Sequence, residues 1–386
     1  MIYFQSAFKR FLSRYNPKNV FEIPMQQFQI KIIENSDQWA AIRADWNALI
    51  KSSSYPNIFL TWEWLSAWSE QFLDENRKLY SIAVFEKDEL VSIAPFCIRY
   101  LSRKPFKFRQ LEFLGTPEMG SDYLDIPMKR GREKGIAQTL YSYLCKDVHK
   151  RWDRIWLYDI PSNSLFLNYF IENANRNGKY INVNRASYCP IFLLPETEDR
   201  LADCISTSRL KKFKQDLRNL NKMCSFEHIT FTGTQLSDGI SIFFKLYEEK
   251  TKYKGEQLVK QIDNLIRTKI GEESVQVDFL KASDQYIGGL LHLRYMDTLY
   301  LYLMAIDKEF NPKISLGNLL VGLCIINAIR SGVKCYDFLK GAEDYKFHWA
   351  NTGLTSSSMT FAQRKPAAIY YTLKEISKSI AKLILR

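Results

Sequence analysis

ISLGNLLVGLCIINAIRSGVKCYDFLKGAEDYKFHWA, residues 314–350, is the stretch around which the rest of the chain can be ordered. A Ser315-Leu316-Gly317 turn opens an apolar helical run, Ser331-Gly332 ends it, and 334–339 reads as a buried strand. The start of such a helix leaves backbone N–H groups free to meet an anion. The strand runs out at Lys340-Gly341 beside Glu343, Asp344, Tyr345, Lys346, His348 and Trp349. A candidate anion cradle and an acid-base corner therefore lie close together in the chain.

Upstream, 298–306 reads as a strand, and 275–282 and 286–294 as a hairpin joined through Ser283-Asp284-Gln285. Before them come helices at 201–223, 240–253 and 258–270 and a strand at 226–231. The first half has a similar order. A strand at 27–33 precedes a helix opened by Ser36, and FLTWEWLSAWSEQF (59–72) starts a second helix at Thr61 with Trp62, Leu65, Trp68 and Phe72 as its apolar stripe. Strands at 79–85 and 90–100 form a hairpin about Glu86-Lys87-Asp88-Glu89, followed by strands at 110–114 and 123–127. A helix at 132–148, a strand at 154–160, a helix at 165–176 and a strand at 189–194 complete the half. Matched order in two halves suggests duplication of one α/β unit. The Pro- and charge-containing 195–200 is the best boundary. The expected division is an N-terminal extension (1–27), two α/β domains (28–198 and 199–365) and a C-terminal amphipathic helix (366–386). In that helix Ile369, Leu373, Ile376, Ile380 and Leu383 oppose Lys374, Lys378 and Lys382, so it could lie on an anionic membrane or pack across the domain seam.

With 386 residues, 46% hydrophobic and 14% aromatic, the chain can bury substantial cores and is not of disordered type. A net charge of +12 suggests anionic partners. The seven cysteines are odd in number and form no CxxC pair, which fits unpaired core thiols in a reducing compartment. The four histidines lack metal-ligand spacing, so no metal site is expected. No apolar run approaches the roughly 18 residues of a spanning helix, and the first 30 residues lack a signal-peptide core. A cytoplasmic protein, with peripheral contact to an anionic membrane as one option, is the expectation.

Asp337 stands among apolar neighbours in its strand, so it needs an ion-pair partner or acquires a raised pKa suited to base catalysis. Glu343, Tyr345 and Lys346 can share a small volume with it, for acid-base work or as an ordinary solvated helix start. Ser315 to Leu319 can hold a phosphate or serve as a plain helix cap. In RLKKFKQDLRNLNK (209–222) the basic side chains Lys211, Lys212, Lys214, Arg218 and Lys222 form a ridge able to meet phosphates or simply water. No recognised nucleic-acid module accompanies it.

Four blocks in this order resemble the GNAT-superfamily acyltransferases, in particular the two-domain cellulose-biosynthesis-type (CelD-like) branch, which is similar in fold to the Fem peptidyl transferases. They are FLTWEWLSAWSEQF, the LEFLGTPEMGSDYLD block (111–125), SLGNLL (315–320) and YDFLKGAEDYKFHWA (336–350). The resemblance covers roughly 28–364. It implies tandem GNAT-like domains, each a mixed, mostly antiparallel sheet flanked by helices. It also implies an acyl-CoA donor, acetyl-CoA or longer, whose pyrophosphate would be held by Ser315, Gly317, Asn318 and Leu319. The turn departs from the general GNAT pattern Gln/Arg-x-x-Gly-x-Gly/Ala, and Leu316 replaces the usual proline; Fem-type relatives use aminoacyl-tRNA instead. Asp337 or Glu343 is then the candidate base, Tyr345 the thiolate-protonating group and Lys346 a stabiliser of developing charge, with Asp122, Tyr123 and Trp349 along the acceptor. The function implied is N- or O-acyl transfer to a small-molecule, lipid-linked or sugar-linked acceptor of the cell envelope or of polysaccharide synthesis. Aminoacyl transfer from tRNA and a non-catalytic membrane-peripheral module are the alternatives.

Overall fold

The structure, a computed structural model, describes residues 28–103, 106–116, 118–251, 262–266 and 272–363, with Tyr370 and Leu373 beyond them. The N-terminal extension, most of the helix expected at 258–270 and the lysine face of the C-terminal helix lie outside the described residues.

The chain opens with β1 (Phe28–Ile33), α1 (Ser36–Ala41), α2 (Arg43–Ser52) and α3 (Trp62–Phe72). Asn35, rather than Ser36, caps α1 by accepting from Gln38 N–H, and Thr61 caps α3 through Trp64 N–H. Next come β2 (Arg77–Leu79), β3 (Ser81–Glu86), β4 (Glu89–Ala94), β5 (Phe96–Arg103) and β6 (Phe106–Phe113), then α4 (Glu133–Ser142), β7 (Arg154–Pro161), α5 (Leu165–Arg176) and β8 (Asn182–Leu193). The second half contains α6 (Leu201–Cys204), α7 (Thr207–Met223), β9 (Phe226–Phe231), α8 (Leu236–Lys250), β10 (Val275–Ala282), β11 (Gln285–Tyr295), β12 (Thr298–Ile306), α9 (Leu316–Arg330), β13 (Cys335–Asp337), α10 (Asp344–Trp349) and β14 (Thr352–Ala362).

Two sequence expectations are corrected. The strand expected over 90–100 is split at Pro95 into β4 and β5, which enter different sheets, because proline lacks the N–H that a continuous ladder needs. The strand expected at 123–127 is irregular. Tyr123 has φ +55°, Pro127 has no donor, and the segment reaches β4 through a single Ser92–Met128 bridge.

β1, β3 and β4 form a small antiparallel sheet, and the other strands form one sheet in the order β2-β5-β6-β7-β14-β8-β13-β12-β11-β10-β9. Among the described residues only β6–β7 and β12–β13 pair in parallel. This is the mixed, mostly antiparallel, helix-flanked α/β architecture expected from the sequence. Each half carries one parallel pair, and the halves exchange their last strands. β14 inserts between β7 and β8, while β8 pairs with β13. β14 was not anticipated because its Ser- and Thr-rich TGLTSSSMTFA shows little alternation.

α9 is apolar on nearly every side and lies buried across β10, β11 and β12 with α7 against its other flank. Gly322 makes that packing feasible, since a Cβ there would stand 2.4 Å from the Phe213 ring and 2.8 Å from Trp349. Among the described residues no helix is long and apolar enough to cross a membrane.

Candidate active site

The site is created where β13 leaves β12. The two strands pair only from Thr298↔Cys335 to Tyr300↔Asp337, whereas β12 continues to Ile306. The sequence suggested a strand through Leu339; the chain departs at Asp337 for a local reason. Asp337 Oδ1 accepts the Leu339 N–H at 2.8 Å, closing an Asx-type turn, and Leu339 adopts φ +56°. Beyond the divergence lies a cleft of about 880 Å³. One wall is β12 from Leu301 to Met304 with Ile306; another is Phe338 to Lys340 with Glu343, Tyr345 and Lys346; the end of α8 supplies Tyr247 and Lys250.

At the far end of β12 stands the start of α9. The Ser315 side chain makes no capping bond. In this first turn the N–H groups of Leu316 and Leu319 find backbone acceptors, in Ile314 and Ser315 respectively, and no such partner is seen for those of Gly317 and Asn318 among the described residues. A Cβ on Gly317 would lie 3.5 Å from both Ile306 and Met304, so this helix start adjoins two cleft-lining side chains.

Behind the other wall, the two halves meet through charge. Lys340 Nζ lies 3.0 Å from Asp122 and 2.9 Å from Asp159, and its backbone N–H donates to Asp122 Oδ2. Asp159 also accepts from the Ser187 and Ser356 hydroxyls, each at 3.1 Å. The paired carboxylates hold the Lys340 ammonium above its ordinary pKa despite the opposing effect of burial, and burial raises that of Asp122. Next to this lock the Tyr123 hydroxyl donates to Asp337 at 2.8 Å. Burial pushes Asp337 up to about 7; the bonds from Leu339 N–H and Tyr123 only partly offset it. Tyr123, Asp159 and Leu339 all have positive φ, at +55°, +58° and +56°. Three non-glycine residues in that region around one seam is the concentration of backbone strain expected at a functional site.

Lys346 is buried, with Nζ 2.7 Å from the Lys340 carbonyl and 3.0 Å from Glu343. Gly341, at φ +141°, permits this arrangement because a Cβ would fall 2.6 Å from Nζ. Burial raises the Tyr345 phenol above its ordinary range.

The structure thus brings Glu343, Tyr345 and Lys346 together in the cleft and sets Asp337 behind it, bonded to Tyr123, with Asp122 tied to Lys340. Of the donor-loop residues, Ser315 is exposed and Gly317 half-buried. Asn318 is turned inward, its Oδ1 accepting the Trp349 indole N–H at 2.6 Å, and Leu319 lies in the core. Trp349 packs edge-on against Phe213 and lines that core rather than the cleft. Sequence reading passed over Lys340 and Asp159, the centre of the seam. The available signal was an acid at the end of the apolar run IWLYDIP and a lysine at the end of YDFLK, each too buried in prospect to stand alone.

Residues 207–347 match the family model of the acetyltransferase (GNAT) domain. The matched stretch runs from α7 to within α10, so it contains the splayed strands, the start of α9 and the Glu343–Lys346 corner. Among solved structures, FemX superposes with a TM-score of 0.58 at 11% identity, over 87% of this chain and 98% of that one. A conserved protein of unknown function from Bacteroides thetaiotaomicron VPI-5482 gives 0.52 at 10% identity, over 87% and 100%. The C-terminal domain of a protein assigned as a lysylphosphatidylglycerol synthetase from Agrobacterium fabrum gives 0.51 at 8%, over 86% and 95%. At such identities these are likenesses of fold. Comparison with curated proteins gave no match.

Proposed function

We propose that the protein is an acyl-CoA-dependent acyltransferase acting on an amine or hydroxyl of a cell-envelope or polysaccharide-related acceptor, as in the cellulose-biosynthesis-type branch that its motifs resemble. The observation that carries this reading is the divergence of β12 from β13 within the GNAT-matched stretch, with an uncapped helix start at one end of the cleft and Glu343, Tyr345 and Lys346 along its wall. The residues present suit such a donor. Among the described residues the β12 edge from 301 to 306 has no strand on the β13 side and can bond an amide-bearing arm, while the N–H groups of Gly317 and Asn318, without a backbone partner there, suit a pyrophosphate. The cleft also lies within the roughly 300–1,000 Å³ usual for ligand sites.

When bound, acyl-CoA supplies an activated thioester carbonyl. Asp337, near 7, is the better-poised acceptor of the nucleophile's proton, relayed through a water because it stands behind the cleft wall, while Glu343 is engaged by Lys346. Tyr345, kept protonated by burial, can return a proton to the departing sulfur, and Lys346 fixes the loop from Leu339 to Glu343. The Asp122–Lys340–Asp159 lock holds both halves against this centre, which supports the seam as the side from which the acceptor approaches.

Calorimetry with acetyl-CoA and longer acyl-CoAs tests the donor. Binding should be measurable and should be lost in Gly317→Trp, whose indole would fill the space at the helix start beside Met304 and Ile306. A panel of acyl-CoAs giving no heat would refute it. The fold likeness to FemX, together with the exposed Lys211, Lys212, Lys214, Arg218 and Lys222 along α7, favours transfer from aminoacyl-tRNA as the second reading. That reading requires salt-sensitive tRNA binding that disappears on charge reversal along α7.

A further inference from the structure

Tyr336 and Asp337 are neighbours on β13, and alternation sends Tyr336 to the face of the sheet covered by α9. There a file of polar groups crosses an otherwise apolar cluster. Asp278 on β10 is completely buried. Its Oδ1 lies 3.1 Å from His228 Nε2 on β9 and accepts the Thr230 hydroxyl at 2.8 Å, while its Oδ2 accepts from Gln276 at 2.8 Å. His292 on β11 places Nδ1 3.0 Å from Oδ2, out of line for a good hydrogen bond and so chiefly an electrostatic contact, and its Nε2 meets the Tyr336 hydroxyl at 2.7 Å. From above, α9 lowers the Cys324 thiol to 3.7 Å from His228 Nε2.

Two features of this cluster go beyond a satisfied hydrogen-bond network. One is charge. Among the described residues neither lysine nor arginine pairs with Asp278, yet the carboxylate is wholly enclosed, so an imidazolium or a bound cation is the counter-charge this site can supply. The other is geometry. One ligating atom each from His228, Asp278 and Cys324 lie within 4.8 Å of one another. With metal bonds of about 2.0–2.3 Å, the edges of a tetrahedral N/O/S site measure roughly 3.3–3.7 Å. Two of the observed separations, 3.1 Å (His228 to Asp278) and 3.7 Å (His228 to Cys324), are close to those edges.

We propose that His228 Nε2, the Asp278 carboxylate and Cys324 Sγ bind a divalent transition-metal ion, with Zn²⁺ the best match to the mixed donor set. A doubly charged ion with one carboxylate and one thiolate is electrically neutral, which suits a dry interior. Binding releases the Cys324 thiol proton to solvent and uses the Nε2 lone pair of a neutral His228 ring whose proton is on Nδ1. Gln276 and His292 then hold the second carboxylate oxygen from behind, with Tyr336 fixing the His292 ring, the supporting arrangement common around bound metals. β9 is the last strand of the sheet, and the His228 side chain is 13% exposed, so the ion enters from that edge and water fills the fourth position. The sequence showed no such site because its three ligands come from β9, β10 and α9, far apart in the chain. The ion would join strands to helix beneath the candidate active site and takes no part in the transfer reaction.

The test is metal analysis of the purified full-length protein, followed by chelation and return of Zn²⁺ or Co²⁺ alone. The expected result is about one zinc per chain, a thiolate-to-cobalt charge-transfer band on Co²⁺ addition, and a thermal midpoint that falls on chelation and recovers with Zn²⁺. Cys324→Ser should lose the band and cut retained zinc at least about tenfold, while Cys204→Ser on α6 keeps both. Should Cys324→Ser fail to fold, His228→Gln at the sheet edge must show the same loss of zinc. Metal-free protein with no cobalt band and an unmoved midpoint overturns the proposal, as does a band that survives in Cys324→Ser. None of these readings depends on the transfer reaction, so the site can fail while the proposed function stands.

Discussion

Asp337 and Asp278 are both enclosed carboxylates in the second half of the molecule, and they are driven in opposite directions. Burial is the largest influence on each. At Asp337 it prevails, because the compensation is one phenol and one backbone N–H, and the group rises to about 7. At Asp278 two histidines outweigh it, and the carboxylate is held below its ordinary range. Depth alone therefore does not fix the state of a buried acid; the number and charge of the donors around it do. One face of β13 meets a seam that leaves an acid near neutrality, ready to exchange a proton. The other meets a network that holds its acid ionised at neutral pH.

The strongest way to break this comparison is Asp278→Ala. It removes the acceptor for Thr230, Gln276 and His228 and leaves histidines facing an apolar cluster, which should cost about 3–5 kcal/mol. Urea unfolding at pH 7 measures it as a lower midpoint with an unchanged slope. A loss below about 1 kcal/mol would mean the network is no more than an ordinary surface pair.

Linkage gives the two acids opposite pH signatures. Asp337 has a folded-state pKa above its unfolded value of about 3.9, so the folded state holds the extra proton between about pH 4 and 7 and stability falls as pH rises through that window. Asp278 has a depressed folded-state value, so its contribution is present above about pH 4 and is lost on further acidification. Asp337→Asn should flatten the neutral limb while leaving the acid limb in place. If Asp337 is the base, the same variant lowers kcat by about 100-fold and abolishes the rise of activity through pH 7. A loss of that size in Glu343→Gln, with Asp337→Asn unaffected, would transfer the role to Glu343.

These contrasts also mark how far the sequence could be read. The ladder from 298 to 306, the helix from Leu316 to Arg330 and the caps near Ser36 and at Thr61 were legible because periodicity and capping are local. Asp337 stood out because a charge in an apolar strand is visible without coordinates. Lys340 with Asp159, the insertion of β14 and the meeting of His228 with Cys324 were not, since each depends on pairing between segments distant in sequence. The inward turn of Asn318 toward Trp349 was hidden for the same reason, because a helix start reads alike whether its third residue faces solvent or core.

Tyr123→Phe is the finest adjustment of the comparison. It keeps the side-chain volume and leaves the backbone at φ +55° as strained as before, but it removes the side-chain hydroxyl that donates to Asp337. A hydrogen bond to a charged acceptor contributes about 1.5–3 kcal/mol, part of which solvent or the remaining donor recovers. The ionised form of Asp337 loses that support and the protonated form loses little. The activity rise should therefore move to higher pH by about one pH unit, with the maximal rate at alkaline pH largely retained. Stability should drop at pH 8, where Asp337 is charged, and change little at pH 5, where it is protonated. An equal drop at both pH values would mean that Tyr123 acts through packing alone, leaving the Leu339 N–H as the bond that offsets burial at Asp337.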